Sequence, residues 1–481
     1  MGGSKTISRR AQGWVLALTS IASLMVALDT LVVSTALTTI RLDLGASIEQ
    51  LEWTVNAYNL SLAVLLLPAA AVGDRFGRRA VFTAGLGLFV AASAAAALAP
   101  DIGSLIAARA VQGAGAALVI TLALAIVSAA FPPERRGWAI GILEGITGLA
   151  VVGGPVIGGA VAQGIAWEWI FWLNVPIGLA AIPLALAHID ESHGRDTSLD
   201  IGGLALVTGG ALGIVWGLVR ANAAGWGSPE VVASLAIGAA LVVGFVLWEL
   251  RVREPMLPMR FFRSRAFSSG NAGVFFLFAS LFGAVFFLAQ FLQTGLGNGP
   301  LEAGLRLAPW TATLFFVAPI AGALVDRIGE RPLLAGGMAL QALGLAWVAA
   351  IAEPDLGYAA MIAPLIVAGI GASMAIPPAA SAVVGAVGQD EVGKAAGANS
   401  MLRELGGVFG IALLVAVFAG AGSYASADAF TDGFAPAIAV AAALSLLGAI
   451  AALGVPGRGR AQPAADLPTQ PVPALNGEGS G

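Results

Sequence analysis

The sequence predicts an all-α integral membrane protein of fourteen transmembrane helices, arranged as two parallel six-helix repeats with two extra central helices. Three observations support this fold class. Apolar runs of about 20 residues, the length that crosses a hydrocarbon core about 30 Å thick, divide the chain from Trp14 to Pro456. Of the 481 residues, 58% are hydrophobic and only 11% are charged, whereas a soluble domain has about 25% charged residues. Motifs of the first half also return in the second half.

The apolar runs define fourteen predicted spans in chain order. They are 13–37, 52–72, 80–100, 103–131, 138–163, 170–189, 201–219, 231–249, 267–292, 303–325, 332–351, 358–384, 397–421 and 434–455. The first run is too long for a signal-peptide core and lacks a cleavage site, so we expect it to remain as the first span.

These spans give five segments. We expect a cytoplasmic N-terminus at 1–12, an N-terminal six-helix bundle at 13–189, the two inserted spans with their loops at 190–266, a C-terminal six-helix bundle at 267–456, and a cytoplasmic tail at 457–481. The tail is rich in Pro, Ala and Gly and has little apolar content that could offset the entropy of ordering, which predicts disorder.

The placement of basic residues predicts the orientation. With an even number of spans and the N-terminus inside, most of the 24 Lys and Arg residues lie on the cytoplasmic side. Only Arg41, Arg220 and Arg306 lie outside, and two more lie within spans. Because cytoplasmic loops carry an excess of Lys and Arg, both termini are predicted to be cytoplasmic, and the protein to be a multi-pass component of the cell membrane.

Composition and missing motifs exclude several function classes. The chain has no cysteine, which removes disulfides and thiolate chemistry, and its net charge of -4 gives no signal for nucleic acid. There is no phosphate-binding Gly-Lys-Ser/Thr loop, no cluster with metal-ligand spacing and no visible nucleophile–base pair. We therefore expect no enzyme activity, no cofactor, no metal and no ATP-driven transport. The expected partners are the bilayer and small amphiphilic molecules, and the expected state is a monomer.

An internal repeat connects the two halves. The loop after span two reads Asp74-Arg75-Phe76-Gly77-Arg78-Arg79, and 252 positions later the loop after span ten reads Asp326-Arg327-Ile328-Gly329-Glu330-Arg331. At an offset of 256, Gly113-Ala114-Gly115-Ala116 matches Gly369-Ile370-Gly371-Ala372. Parallel repeats of this kind place a substrate site at the interface of the halves near the midplane, opened alternately to either side.

Charged residues inside the spans are expensive to keep and therefore indicate function. Asp29 lies about eight residues from the outer end of span one, and Arg109 about six from the outer end of span four, so both lie roughly 10 Å below the surface. An ion pair between them would break when the acid takes up a proton, which provides a proton switch. A static pair that only fixes helix packing is the other interpretation.

Three further charges lie at a second common depth. Glu144 is in span five, while Arg403 and Glu404 are in span thirteen, the helix that the repeat makes equivalent. One arrangement places Arg403 opposite Glu144 across the central cavity, as an inner counterpart of the first pair. The alternative is that these side chains snorkel toward the cytoplasmic interface.

The motifs together resemble the fourteen-helix drug:proton antiporter branch of the major facilitator superfamily, and the resemblance covers nearly the whole chain. Those that carry it are Leu28-Asp29-Thr30, the loop from Asp74 to Arg79, Arg109 with Gln112-Gly113, Gly154-Pro155-Val156-Ile157-Gly158-Gly159, Trp53 with Tyr58, and Trp169-Ile170-Phe171 with Asn174-Val175-Pro176. Glu144 and Glu404 depart from the branch, in which these positions are expected to be uncharged.

The resemblance implies a proton-coupled exporter of amphiphilic, cationic or zwitterionic compounds that works by alternating access. Within this reading, the proton-coupling residues are Asp29, Arg109, Glu144 and Glu404; the substrate cavity has Asp29, Glu144, Arg403, Gln112, Asn56 and Tyr58; the gating loops have Gly73, Asp74, Arg75, Gly77, Arg78, Arg79, Asp326 and Arg327; and the antiporter helix motif has Gly154, Pro155, Gly158 and Gly159. An acid at the loop, Asp74, can bind the positive N-terminal end of span thirteen and latch the outward-open state.

Rival functions stay open on the sequence alone. An exporter of a lipid, an antibiotic or another self-made metabolite would have the same helices. An ion channel is a more distant alternative, because it needs a selectivity ring from an oligomer whereas two repeats in one chain already enclose a cavity. The substrate cannot be read from the sequence, since multidrug cavities use general apolar surface and a few charges.

Overall fold

The computed structural model describes residues 9–193, 200–253, 255–388 and 391–457. Within these ranges the side chains at 67, 133, 134, 136, 137, 141, 144, 151, 152, 219, 222, 223, 326 and 393 lie outside the description. The predicted tail beyond 457 and the first eight residues also lie outside it. Every regular element in the described ranges is helical.

The helices fall into three groups along the chain. The N-terminal half has α1 (Arg9–Leu44), α2 (Ile48–Phe76), α3 (Arg78–Ala97), α4 (Ile102–Ala130), α5 (Pro133–Gly164), α6 (Trp169–Trp172) and α7 (Asn174–His188). The inserted hairpin has α8 (Ile201–Ala224) and α9 (Pro229–Glu249). The C-terminal half has α10 (Arg265–Gln290), α11 (Pro300–Arg306), α12 (Ala308–Thr311), α13 (Thr313–Ile328), α14 (Glu330–Ile351), α15 (Tyr358–Val384), α16 (Val392–Ala421) and α17 (Ala427–Ala452).

The predicted all-α membrane fold is confirmed. Thirteen helical stretches of the described chain are long and apolar enough to cross a membrane, and α2, bent by 56° between Leu66 and Pro68, makes a fourteenth. Two spans are less regular than expected. The sixth consists of α6 and α7, which meet at Leu173, and the tenth consists of α11, α12 and α13. Pro309 lies in the first turn of α12, a position that proline tolerates because the missing N–H has no partner there.

The sequence repeat appears in the structure as a repeat of helix contacts. Gly115 of α4 packs so closely on α3 that an added Cβ would lie 2.7 Å from the amide nitrogen of Phe89. Its counterpart Gly371 of α15 packs in the same way on Gln341 of α14. Phe89 and Gln341 are 252 positions apart, as the loop motifs are. Small residues allow such close helix approach in membranes, so the repeated glycines fix the same backbone arrangement in both halves.

A second repeated contact joins the fifth helix of each half to the first. Gly154 of α5 packs on Leu31 of α1, and Gly410 of α16, 256 positions later, packs on Ala279 of α10. The contacting partners are 248 positions apart. The two halves can therefore be compared position by position along these helices.

The loop glycines repeat as well. Gly77 joins α2 to α3 with φ +101°, and Gly329 joins α13 to α14 with φ +85°. Residues other than glycine rarely adopt backbone conformations with such positive φ angles. At Gly77 there is a further constraint, because an added Cβ would lie 2.7 Å from the carboxyl carbon of Glu191.

The inserted hairpin contacts both halves. Its helices approach each other through Gly210, Gly213 and Gly238, where added Cβ atoms would meet backbone atoms of the partner helix. Val215 of α8 belongs to a buried apolar cluster with Leu60 of α2 and Val408 of α16. The hairpin therefore lies along the seam between the halves.

Candidate functional site

The centre of the N-terminal half holds a buried ion pair. Arg109 of α4 donates from Nη1 to Asp29 Oδ2 of α1, and each side chain is only 1% exposed. The Nε–H of Arg109 donates to the backbone oxygen of Thr54 at 3.2 Å. The two residues, which the sequence placed at similar depth in the membrane, are therefore in direct contact.

Three neutral side chains complete this network. Asp29 Oδ1 accepts from Gln112 Nε2 at 2.8 Å and from Asn174 Nδ2 at 2.9 Å. Gln112 Oε1 in turn accepts from Arg109 Nη1 at 2.7 Å. Both amides also donate to the hydroxyl of Ser93, at 2.7 Å and 3.3 Å. Each oxygen of the Asp29 carboxylate is thus hydrogen-bonded, as a buried charge requires.

An aromatic ring covers the guanidinium. The Cζ atom of Arg109 lies 4.1 Å from the centroid of the Tyr58 ring and 5.7 Å from that of Phe171, within cation–π range. Tyr58 is fully buried and its hydroxyl donates to the backbone oxygen of Val26 at 3.3 Å. The rings exclude water from the pair and hold the guanidinium in place.

This arrangement can act as a two-state switch. While Asp29 is ionised, Coulomb attraction and three donors stabilise the pair. Adding a proton to the carboxyl removes the attraction and leaves Arg109 buried without a counter-charge, which is strongly unfavourable. Loss of the ion pair therefore favours movement of the helices that carry the two residues. α1, α2, α3, α4 and α7 all contribute to the network, so one proton affects five helices.

A small central cavity between the halves is lined by other residues. Its lining side chains come from α1, α2, α10 and α16, and the volume accessible to water is only about 30 Å³. They are Thr30, Leu31, Ser34, Val55, Asn59, Phe282, Val285, Phe286 and Ile411. Asp29, Gln112 and Tyr58, which the sequence placed in the substrate cavity, lie inside the N-terminal half in this conformation.

The charges of span thirteen are arranged differently from the expectation. Arg403 Nε donates to Oε1 of its neighbour Glu404 at 3.0 Å, and its guanidinium lies 5.6 Å from the ring of Phe278. Glu404 is 4% exposed, and its Oε2 has no hydrogen-bond partner among the described atoms. The Glu144 side chain lies outside the described residues. The suggested pairing of Arg403 with Glu144 therefore stays a prediction.

The gating loop is bonded within its own half. Asp74 Oδ1 accepts from Arg78 Nε at 2.7 Å. Glu191, a residue that the sequence did not single out, accepts from the backbone N–H of Arg79 at 2.9 Å and from that of Ala80 at 3.1 Å. These bonds join the loop to the segment after α7. Arg75 is exposed, and its guanidinium lies 5.3 Å from the ring of the next residue.

The other predicted loop positions have mixed outcomes. A Cβ on Gly73 would meet the side chain of Leu122 in α4, so this glycine packs α2 on α4. The side chain of Asp326 lies outside the described residues. Arg327 is the last basic residue of α13, and its role in the second gating loop stays a prediction.

The antiporter helix motif packs α5 on two different helices. Gly154 and Gly158 face α1, where added Cβ atoms would meet Leu31 and Val32. Gly159 faces α11 of the other half, in contact with the backbone of Pro300. In return, Gly304 of α11 contacts the backbone of Pro155. One short motif thus joins α5 to its own half and to the opposite half.

These contacts close one face of the molecule. We call the face with the α1–α2, α3–α4 and α5–α6 connections the outer face. There Gln293 Nε2 donates to the backbone oxygen of Thr35 at 3.0 Å, and the backbone N–H of Leu301 donates to Gln163 Oε1 at 3.1 Å. Both bonds join the two halves, so the outer face is closed.

Arg41 and Tyr424 lie at the mouth of this closure. The guanidinium of Arg41 lies 4.4 Å from the centroid of the Tyr424 ring, and the Tyr424 hydroxyl donates to Gln290 Oε1. Burial raises the pKa of Tyr424, which keeps this hydroxyl a neutral donor. An outer pocket of about 520 Å³ lies between Arg41, Glu49 and Tyr424.

Comparison with known proteins adds the family. The model of the Major Facilitator Superfamily matches residues 19–411 and again 270–475. This chain belongs to the Major Facilitator Superfamily. Membership makes it a multi-pass membrane transporter rather than an enzyme, and it confirms the family inferred from the sequence motifs. In the described residues, no group of three His, Cys, Asp or Glu side chains is placed to hold a metal ion.

Relatives within the superfamily share about a third of their residues with this chain. The Tetracenomycin C resistance and export protein of Streptomyces glaucescens is 33% identical over 408 residues, which cover 84% of this chain and 76% of that protein. The Multidrug resistance protein Stp of Mycobacterium tuberculosis is 33% identical over 417 residues, covering 85% and 76%. A bacterial homologue of the human lysosomal transporter Spinster aligns with a TM-score of 0.67 at 17% identity, covering 93% and 98%, which shows the shared fold.

Proposed function

We propose that this transporter is a proton-coupled multidrug exporter that moves amphiphilic, cationic or zwitterionic compounds out of the cell by alternating access. The observation that carries the proposal is the fully buried pair of Asp29 and Arg109 inside a half that must rotate as a unit. A dry ion pair in a membrane protein is expensive to keep, and protonating its acid changes the contacts of five helices.

The coupling cycle follows from this switch. In the closed-outside conformation Asp29 is held by Arg109 and two amides. After the outer face has opened and the substrate has left, a proton from the outside neutralises Asp29 and favours rotation toward the inside, and the carboxyl loses its proton to the cytoplasm as the next substrate binds. The names of the relatives, a drug-resistance protein and an antibiotic exporter, support an outward direction for the substrate.

A second candidate function is export of an antibiotic that the producing cell makes. The tetracenomycin exporter is the relative that favours it. This function uses the same proton switch, so the two candidates differ only in substrate. Deleting the gene and looking for an accumulated endogenous compound separates them.

The test uses purified protein in proteoliposomes with an imposed pH gradient. Asp29→Asn fixes the neutral form with almost the same shape. We expect it to retain exchange of labelled for unlabelled substrate and to lose accumulation of substrate against its gradient. Asp43→Asn is the matched control, because Asp43 is an exposed acid on the same helix that accepts from Trp167 Nε1 at 2.8 Å.

The opposite results are equally informative. If Asp29→Asn still concentrates substrate when the pH gradient is imposed, proton carriage belongs to another acid, and Glu144 and Glu404 are tested next. If the unmodified protein transports equally well with and without a pH gradient, proton coupling is wrong. A protonophore control separates a pH-driven process from leakage.

A further inference from the structure

A second buried acid lies outside the Asp29 network. Glu52 of α2 has an exposed fraction of 0%. Its Oε1 accepts from Asn56 Nδ2 at 3.1 Å, while its Oε2 is buried and has no hydrogen-bond partner among the described residues. The sequence did not mark this residue, because it lies at the predicted start of span two, where an acid is ordinary.

Glu52 belongs to a column of unpartnered acceptors. Glu52, Asn56 and Asn59 follow one another at spacings of four and three residues, which places them on one face of the helix. Within the part of the chain that the structure describes, the side-chain oxygens of both asparagines are also buried without hydrogen-bond partners. Three such oxygens in a row are unusual, because buried polar atoms are nearly always satisfied.

The column lies between the outer pocket and the central cavity. Glu49, about one turn outward of Glu52, lines the outer pocket, and Asn59, roughly 10 Å further in along the helix, lines the central cavity. Val55 of the same segment also lines that cavity. Glu52 therefore lies where the two halves close the outer face.

The charges on the surrounding elements have other partners. In the described part of the chain no basic side chain forms an ion pair with Glu52. The basic residues on α2 and on the helices packed against it lie as follows: Arg109 of α4 pairs with Asp29 of α1, Arg220 of α8 with Glu230, Arg403 of α16 with Glu404, Arg78 of α3 with Asp74 and Arg79 of α3 with Glu191. Arg41 of α1 lies over the ring of Tyr424, Arg75 of α2 lies beside the ring of Phe76, Lys394 of α16 donates to the backbone oxygen of Pro255, and Arg9 and Arg10 lie at the opposite end of α1 from the outer face.

We propose that Glu52 is a second proton-binding site of the transporter, and that its proton must be bound for the outer face to close. An ionised carboxylate buried without a cation is strongly unfavourable, whereas the neutral acid costs far less. Closing the outer face around Glu52 thus requires the neutral form. Opening it admits water from the outer pocket, which lets the carboxylate ionise.

This inference deepens the proposed function and rests on its alternating access, but not on Asp29 as the carrier. A proton taken from the outside by Glu52 favours closure of the outer face, which is the direction that an antiporter requires after it has released its substrate. Glu52 would then time the closure, while Asp29 carries the proton across.

The test measures the width of the outer face in the full-length protein. Because the chain has no cysteine, spin labels can be placed at Leu98→Cys, an outer-face residue of the N-terminal half that is 68% exposed, and at Gly357→Cys in the C-terminal half, where an added Cβ meets nothing within 4 Å. Distance distributions are recorded from pH 5.5 to 8.5 with no gradient and no substrate. The background is Asp29→Asn, so that Asp29 contributes no pH dependence.

For one proton, the ratio of closed to open molecules should fall with rising pH by up to about tenfold per unit. Glu52→Gln should stay closed at every pH. Glu52→Asp, which retains a carboxyl group, should keep a pH response and exclude a mere packing effect. Glu49→Gln, which removes a charge one turn away but leaves the Glu52 carboxyl in place, should keep a pH response.

The proposal is overturned if Glu52→Gln responds to pH as its parent does. It is also overturned if the ratio in the parent does not depend on pH. Failure of the proposed function looks different. In that case the reconstituted protein shows no pH-driven transport, while the distance between the labels still depends on Glu52.

Discussion

The two halves of the transporter share a backbone plan but differ in chemistry. The close helix contacts at Gly115 and Gly154 return at Gly371 and Gly410. The polar residues do not return. Applying the same offsets, the counterparts of Asp29, Ser93, Arg109 and Gln112 are Leu277, Leu345, Leu365 and Ala368, all of them fully buried.

This difference separates what a repeat must keep from what it can change. Glycine contacts fix how closely the helices approach, so both halves need them to have the same shape. The buried ion pair is needed only once. The apolar residues at these positions of the C-terminal half avoid the desolvation cost of a second pair and make that half the less responsive partner of the switch.

The largest expected effect is a loss of stability when the ion pair of the N-terminal half is replaced by the leucines that occupy the equivalent positions of the C-terminal half. Arg109→Leu, which copies Leu365, leaves the Asp29 carboxylate buried without its cation, and should lower the free energy of unfolding by about 3 to 5 kcal/mol. Adding Asp29→Leu, which copies Leu277, should recover a large part of that loss. The free energy of unfolding of the single and the double variant is measured in detergent at pH 7.

A double-mutant cycle provides the control for this prediction. The double variant should be more stable than Arg109→Leu alone but unable to couple transport to a pH gradient. Additive losses from the two substitutions would contradict the idea that the pair behaves as one unit.

The next largest effect is expected on the width of the outer face. It is tested by substituting a glycine that joins the two halves and, for comparison, a glycine that lies within one half. Gly159→Ala places a Cβ against the backbone of Pro300 across the outer closure, whereas Gly410→Ala places one against Ala279 in the same half. Overpacking costs typically about 1 to 3 kcal/mol. Gly159→Ala should therefore widen the distance between labels at Leu98 and Gly357, because opening relieves the clash.

Gly410→Ala is the matched control for that measurement. Its clash persists in every conformation of the half, so it should lower the unfolding temperature and leave the label distance unchanged. A widening of the same size in both variants would show that the closure responds to general loosening rather than to this contact.

The smallest effect, a partial loss of pH-driven transport, is expected on substituting Glu404, the buried acid of α16 in the C-terminal half. Glu404 bonds with its own neighbour Arg403, whose side chain is 34% exposed. Because the arginine of this pair is partly exposed and stays hydrated when the acid is removed, losing the pair costs about 1 kcal/mol or less, so Glu404→Gln should reduce pH-driven transport by less than about fivefold. A loss as complete as that expected for Asp29→Asn would mean that both halves take part in proton coupling.

The sequence located the central pair but not its surroundings. Asp29 and Arg109 could be matched because each is an isolated charge and helical rise converts position into depth. Asn174 was visible only as part of a motif, and Ser93 is one hydroxyl in an alanine-rich helix. Their roles depend on how α3 and α7 rotate against α1, which a single helix does not encode.

The sequence by itself determined the membrane class, the number of spans and the repeat, because apolar length, glycine spacing and loop charge follow from the physics of the bilayer. Only the tertiary structure decided the partners of the charges. Arg403 binds its neighbour Glu404, Asp29 faces the inside of its half instead of the central cavity, and Glu52 is buried in the outer closure. The reason is that partner choice depends on helix rotation and on the contact between the halves, and these are set by packing across the whole molecule.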